Sequence, residues 1–271
     1  KIPTLKLSPS YEKLEYDPEV PPNLINYKVG VETNEQAGNY QLQFFDKKVF
    51  NFPKPVSLIQ YLCEFIDTKN QDCIVMDFFS GSGTTAEAVM RMNMKPRKNK
   101  VKYILVQLPE DVTETIKKAK TPSEKEIMQN AIDFLTEKHK ALNICELSKE
   151  RIRRAGKKII EEKGDQIGID DEEKKPLDIG FKVFKLDTSN LRIWDNTPIT
   201  GDNQIEMFTE RMNSMIDSIK DDRTDMDVVY EVMLKMGVPL DIPVQYIEVN
   251  GKVVYIVGDF LLMIALFDNI T

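Results

Sequence analysis

Apolar positions fall into two kinds of pattern along this chain. Ile59, Leu62, Cys63 and Ile66 recur at helical spacing after Pro53 and Pro55, which predicts a helix with one buried face that begins where the prolines end a preceding strand. "DCIVMD" (72–77) and "VKYILVQL" (101–108) are short apolar runs without alternation, the signature of strands buried on both faces. Between them lie a glycine turn, "FFSGSG", and a helical stretch, "TTAEAVMRM". Strand, helix and strand over about thirty residues make a βαβ unit with a parallel sheet.

Two further helices follow. "SEKEIMQNAIDFLTEKHKAL" opens on Ser123 and Glu126 in capping-box spacing, and a second covers about 144–162. The charged run "EEKGDQIGIDDEEKK" reads as a linker or exposed loop. "GFKVFKLDTSNLRIW" predicts a strand and its exit. Ile205, Phe208, Met212, Met215, Ile216 and Ile219 make a helical stripe expected in a core. "VQYIEVNGKVVYIVG" predicts a hairpin with Asn250 and Gly251 in its turn. Residues 1–48 carry Pro3, Pro9, Pro18, Pro21 and Pro22 among mixed polar residues, and read as an irregular segment arriving from something upstream.

Composition sets bounds on function. With 271 residues, 41% of them hydrophobic and 30% charged, the chain can bury a real core. The net charge of −7 does not resemble a domain that coats nucleic acid. The opening residues carry no apolar run of the signal-peptide kind, so none is expected, and the longest strongly apolar run, "FLLMIALF" (260–267), is too short to span a bilayer. Cys63, Cys73 and Cys145 lie far apart without metal-ligand spacing, which fits a cytoplasmic chain and predicts no metal site. The single histidine, His139, lies in a solvated stretch. A Ser/His/Asp triad is therefore not expected.

Attention then falls on the turn. Gly81 and Gly83 follow a buried strand and precede a helix, where glycine lets a ligand approach the backbone and the helix start offers free N–H groups to an anion. A triphosphate site needs Gly-Lys-Ser/Thr, and here Gly83 is followed by Thr84 and Thr85. A dinucleotide site wants an acid at the tip of the second strand, where this chain has Gln107. S-adenosyl-L-methionine fits the same turn differently, with Asp77 for its ammonium, loop amides for its carboxylate and Gln107 for its ribose. The bland alternative for Asp77 is a carboxylate that caps local amides.

"DFFSGSGTTAEAVM" resembles the cofactor motif of DNA amino-methyltransferases, and "FNFPKPVSLIQYL" resembles the Lys-Pro motif those enzymes place before it. "ILVQLPED", "ICELSKERIRRAGKKI", "GFKVFKLDTSNLRIWD" and "YEVMLKMGVPLDIPV" extend the likeness, over roughly residues 28–268, to the modification subunit of type III restriction–modification systems. The resemblance implies an α/β fold: a Rossmann-like S-adenosylmethionine-dependent methyltransferase sheet with a C-terminal α+β extension. It implies a cofactor-binding half over 49–177, a remainder over 178–271, and a connecting segment over 1–48. The site residues it implies are Lys54, Pro55, Asp77, Phe78, Ser80, Gly81, Gly83, Thr84 and Gln107, with Ser57 and Leu58 nearby.

The implied activity is site-specific transfer of a methyl group to adenine N6 in double-stranded DNA by a cytoplasmic bacterial enzyme. The implied partners are a second copy and a restriction subunit with helicase and nuclease functions. The family's Pro-Pro-aromatic catalytic motif has no match. "DPEVPP" (17–22) is nearest, and Asn23 follows it. The expectation is a chain with no catalytic residue of its own, continuous with an upstream half that carries that motif and inactive alone. The alternative is a docking module, mainly after residue 178, that binds the cofactor without transferring methyl. "KPRKNKVK" (95–102) and "KERIRRAGKK" (149–158) are basic enough to meet phosphates, though a solvated face is the plainer reading.

Overall fold

A computed structural model describes residues 25, 29–65, 73–95, 100–164, 177–200, 202–216 and 218–267. The chain divides between Gly180 and Phe181 into two units, each with its own contacts.

The first unit opens with two short helices, α1 (Asn34–Tyr40) and α2 (Leu42–Phe45), where the sequence had suggested irregular chain. Thr33 accepts from the Gln36 N–H and the Gln36 side chain accepts from the Thr33 N–H, a capping box that satisfies two helix-start donors. Phe44 and Phe45 are buried, and Phe45 meets Phe134 edge-to-face at 5.1 Å. The expected strand before Pro53 does not form. Gln41, buried to 1% exposure, accepts from the N–H groups of Val49 and Phe50 and donates to the Phe50 carbonyl. One side-chain amide thus meets the backbone demand that a neighbouring strand would have met.

Helix α3 (Val56–Cys63) starts at Pro55. It buries Val56, Tyr61 and Cys63, with Ile59 packed beside them. Leu62 is exposed, against expectation, and Ile66 lies outside the described residues. Strand β1 (Ile74–Asp77) pairs in parallel with β2 (Lys102–Leu105), joined through α4 (Thr84–Met94). Ile74 is opposite Lys102 and Asp77 opposite Leu105. Val75, Cys73 and Tyr103 pack on Cys63, Val89, Met92 and Val101.

The strands are not buried on both faces. Ile74, Met76, Ile104 and Val106 point the other way and stay exposed, because among the described residues the helices cover one face only. The rest of a Rossmann-like sheet is not seen among the described residues, which pair β1 with β2 alone.

Helices α5 (Val112–Lys118), α6 (Pro122–Glu137) and α7 (Ile144–Gly164) follow. The cap of α6 is Thr121 with Glu124, not Ser123 with Glu126. Pro122 is placed at the first helical position, which moves the start earlier. Helix α7 begins where the sequence placed it.

In the second unit, α8 (Gln204–Ser214) is followed by α9 (Asp225–Lys235), which packs on an antiparallel sheet of β3 (Val244–Val249), β4 (Lys252–Val257) and β5 (Leu262–Ala265). Asn250 and Gly251 both hold positive φ in the β3–β4 turn, as that two-residue connection requires. The strand expected within 180–194 is absent apart from a bridge between Leu191 and Ile219. That segment docks through side chains. Lys182 donates to the carbonyls of Leu240 and Ile242, and Phe184 meets Tyr230 edge-to-face.

The apolar stripe of α8 is not core. Ile205, Phe208 and Met212 are exposed, as is Ile216, which lies beyond the end of the helix. Periodicity identifies an apolar face but not what covers it. Among the described residues no helix is long and apolar enough to cross a membrane.

Candidate functional site

The β1–α4 turn is built to a tight geometry. Val106 donates its N–H to the Asp77 carbonyl at 2.8 Å, and Ser80 donates to the Val106 carbonyl at 3.2 Å, so the turn leaves the sheet locked to the end of β2. Gly83 then donates back to the Ser80 carbonyl at 2.7 Å. Gly81 and Gly83 have φ of +50° and +74°, in the left-handed region where a Cβ is costly. At Gly83 a side chain has no room: a Cβ would stand 3.0 Å from Ile152 Cγ1.

Several residues expected at one site meet here. The Thr84 hydroxyl donates to the Lys54 carbonyl at 3.1 Å, which ties the Lys-Pro segment to the start of α4. Pro55 is buried as the N-cap of α3, whereas the Lys54 side chain is exposed. Ser57 bonds Glu32, accepting from its N–H and donating to its carboxylate. Ser80 is buried, and the Phe78 ring stands in solvent at 61% exposure.

The two polar residues offered for recognition already have local partners. Asp77 Oδ1 accepts from the Phe79 N–H at 3.2 Å, and Oδ2 accepts from the Thr85 hydroxyl at 2.6 Å. Gln107 Oε1 accepts from the Gly81 N–H at 2.8 Å, and Nε2 donates to the Leu108 carbonyl. A carboxylate has about four lone-pair sites and an amide two donors and two acceptor sites. Asp77 therefore keeps capacity to meet an ammonium, and Gln107 keeps one N–H to offer a hydroxyl.

Helix α7 forms the back of the loop, and sequence reasoning missed it. Ser148 donates to the Gly81 carbonyl at 2.7 Å, and Arg151 donates to the Ser82 carbonyl and the Thr84 hydroxyl, both at 3.2 Å. The other end of the Arg151 guanidinium holds Glu87 Oε2 at 2.8 Å. Glu87, with no exposure, also accepts from Tyr40 at 2.7 Å and from Arg91 at 3.0 Å, and Arg91 pairs with Glu162. Burial pushes the Arg151 pKa down while the Glu87 carboxylate opposes it. Burial and the same carboxylate push the Tyr40 phenol up.

A signal for this group existed. Leu147, Arg151, Ala155 and Ile159 recur every four residues and are all buried, so an arginine stands inside an apolar stripe. Glu87 breaks "TTAEAVM" in the same way.

The basic run of α7 is largely engaged within the chain. Arg154 bonds the Phe44 carbonyl and Glu150 and lies over the rings of Phe45 and Phe134. Arg153 pairs with Glu150, Lys157 with Glu161 and Lys158 with Glu162. Of the other basic run, residues 96–99 lie outside the described residues.

Comparison with known proteins places this turn inside a recognised segment. Residues 23–118 match the model of the DNA methylase family. The chain is 41% identical over 68 residues to the type III restriction-modification enzyme StyLTI Mod subunit of Salmonella typhimurium, which is 25% of this chain and 10% of that protein. It is 47% identical over 68 residues to the EcoPI Mod subunit of Escherichia phage P1, with the same shares. The likeness to the EcoP15I Mod subunit of Escherichia coli is 31% over 154 residues, 57% of this chain and 18% of that protein. The chain thus spans less than a fifth of the length of these relatives.

Proposed function

We propose that this chain, a relative of the modification subunits of type III restriction–modification enzymes with a DNA methylase segment, binds S-adenosyl-L-methionine at the β1–α4 turn. One observation carries the reading: two left-handed glycines bend the chain between a strand-end carboxylate, Asp77, and the start of α4, with the Lys54–Pro55 backbone held against Thr84. The donor set fits the ligand. Asp77 takes the ammonium, the amides at the start of α4 take the carboxylate, and Gln107 meets the ribose. Phe78 and Ser80 complete the turn, and Pro55 walls it.

When bound, the cofactor supplies a methyl group on a sulfonium. The part of this chain is to bind and orient, which is where most of the rate enhancement of such a transfer arises. In the whole protein the acceptor is adenine N6 of duplex DNA, turned out of the stack to reach the methyl group. The chain has no Pro-Pro-aromatic sequence to hold that amine, so by itself it binds the cofactor and does not transfer methyl. A restriction subunit and DNA are the partners this reading implies for the whole protein.

The test is equilibrium dialysis of labelled S-adenosyl-L-methionine against the chain and its Asp77→Asn variant, alongside methyl transfer to duplex DNA. Loss of a charge-assisted contact is expected to weaken binding about 10- to 100-fold. Equal binding by both, or no binding by the parent, sinks the donor reading. Methyl transfer by this chain alone sinks the inactive part of it.

The exposed stripe of α8 favours a second, compatible reading for the unit after Phe181: association with a second copy or with the restriction subunit. A sedimentation coefficient unchanged between the parent and a Phe208→Asp variant, with or without the restriction subunit, removes it.

A further inference from the structure

Arg151 does more than fill space between α4 and α7. Its side chain is 3% exposed and faces Glu87, whose side chain is fully buried. A buried ion pair is often replaceable by well-packed apolar groups at no loss of stability. An arginine at this position therefore asks for a reason beyond packing, and its remaining bonds supply one.

The guanidinium reaches the Ser82 carbonyl and the Thr84 hydroxyl, while Ser148 one turn earlier takes the Gly81 carbonyl. Two successive carbonyls of the glycine loop are thus drawn toward α7. A trans peptide sets its N–H opposite its carbonyl, so drawing the Gly81 carbonyl back turns the Ser82 N–H outward. The Thr84 hydroxyl passes the same anchor on to the Lys54 carbonyl. Glu87 aims the fork, and its second oxygen is fixed by Tyr40 and Arg91.

We propose that Arg151 is a positioning residue that holds the glycine loop in the form that receives the methyl donor, with Glu87 as the group that aims it. This inference rests on the donor reading above. Arginine suits the task because its planar fork serves three acceptors at once, which a lysine ammonium at the end of a flexible stem does not match.

Two variants of the whole chain test it. Arg151→Lys keeps the charge and loses the fork. Glu87→Gln with Arg151→Met removes the buried charge pair together, leaving an amide oxygen for Tyr40 and Arg91. Both are expected to unfold in urea near the parent midpoint by far-UV circular dichroism. The bonded amides of their loop, Ser80, Gly81 and Gly83, are expected to exchange with solvent at least tenfold faster, and S-adenosylhomocysteine to bind at least tenfold more weakly.

Unchanged loop exchange in the folded double variant overturns the inference, as does unchanged affinity where the parent binds. Failure of both variants to fold also overturns it, since the arginine then holds the fold rather than the loop. A parent chain that does not bind S-adenosylhomocysteine sinks the donor reading, while loop exchange still decides the anchoring.

Discussion

Replacing Gly83 by alanine and comparing it with Gly81→Ala isolates the packing of α7 on the loop. Both positions are left-handed, at +74° and +50°, which costs an alanine about 1–2 kcal/mol. Their surroundings differ. A Cβ at residue 81 would meet only the Phe79 carbonyl, at 3.7 Å, an ordinary contact. At residue 83 it would stand 3.0 and 3.1 Å from two Ile152 carbons and 3.1 Å from Ser148 Oγ. Overpacking of this kind adds about 1–3 kcal/mol.

Gly81→Ala is therefore expected to cost about 1–2 kcal/mol and Gly83→Ala about 2–5 kcal/mol. Urea unfolding followed by far-UV circular dichroism reads both. The single tryptophan, Trp194, belongs to the unit that begins at Phe181, so its fluorescence follows that unit. In an Ile152→Ala background the crowding carbons are gone and only the Ser148 contact remains, so the cost of Gly83→Ala is expected to fall toward that of Gly81→Ala. This is a coupling of the kind a double-mutant cycle measures. Equal costs at the two glycines, or no coupling to Ile152, refute the packing argument.

Arg154→Ala is expected to cost the first unit about 1–2 kcal/mol through lost ring contacts and the bond to Phe44. Half-exposed Arg153→Ala is expected to stay within about 0.5 kcal/mol, and equal losses in urea would show that the rings are not the reason. The Glu231 carboxyl is raised by burial, but bonds from Lys235, Ser189 and the Asn190 N–H outweigh this and hold it down to about 2. Its folded value lies below its unfolded one. The stabilisation is thus full above about pH 4.5 and lost as pH falls toward about 2. Acid titration read by Trp194 fluorescence is expected to be shallower in Glu231→Gln, and an identical profile counts against the assignment. Met212→Glu on the exposed stripe of α8 is expected to change urea stability by less than about 0.5 kcal/mol. A loss above about 1 kcal/mol would mean that the stripe is covered after all.

The sequence alone determined what is local. The β1–turn–α4–β2 order, the positive φ of Gly81 and Gly83, the starts of α3 and α7 and the Asn250–Gly251 hairpin follow from short-range sterics and spacing, which act between near neighbours. The candidate site was legible because its parts, Lys54–Pro55, Asp77 and the glycine loop, are each short runs with their own signature.

Only the tertiary structure decided which faces are covered and where side-chain groups find partners. Gln41 stands in for a strand beside Val49 and Phe50, so the expected strand is not one. The apolar runs of β1 and β2 read as buried on both faces, yet the helices cover one. Arg151 and Glu87 lie 64 positions apart and signal nothing singly except a charge within an apolar stripe. Periodicity reports that a face is apolar or that a charge interrupts it. What meets that face is set by residues far away in the chain, and a buried hydrogen bond or ion pair has its meaning only from both ends.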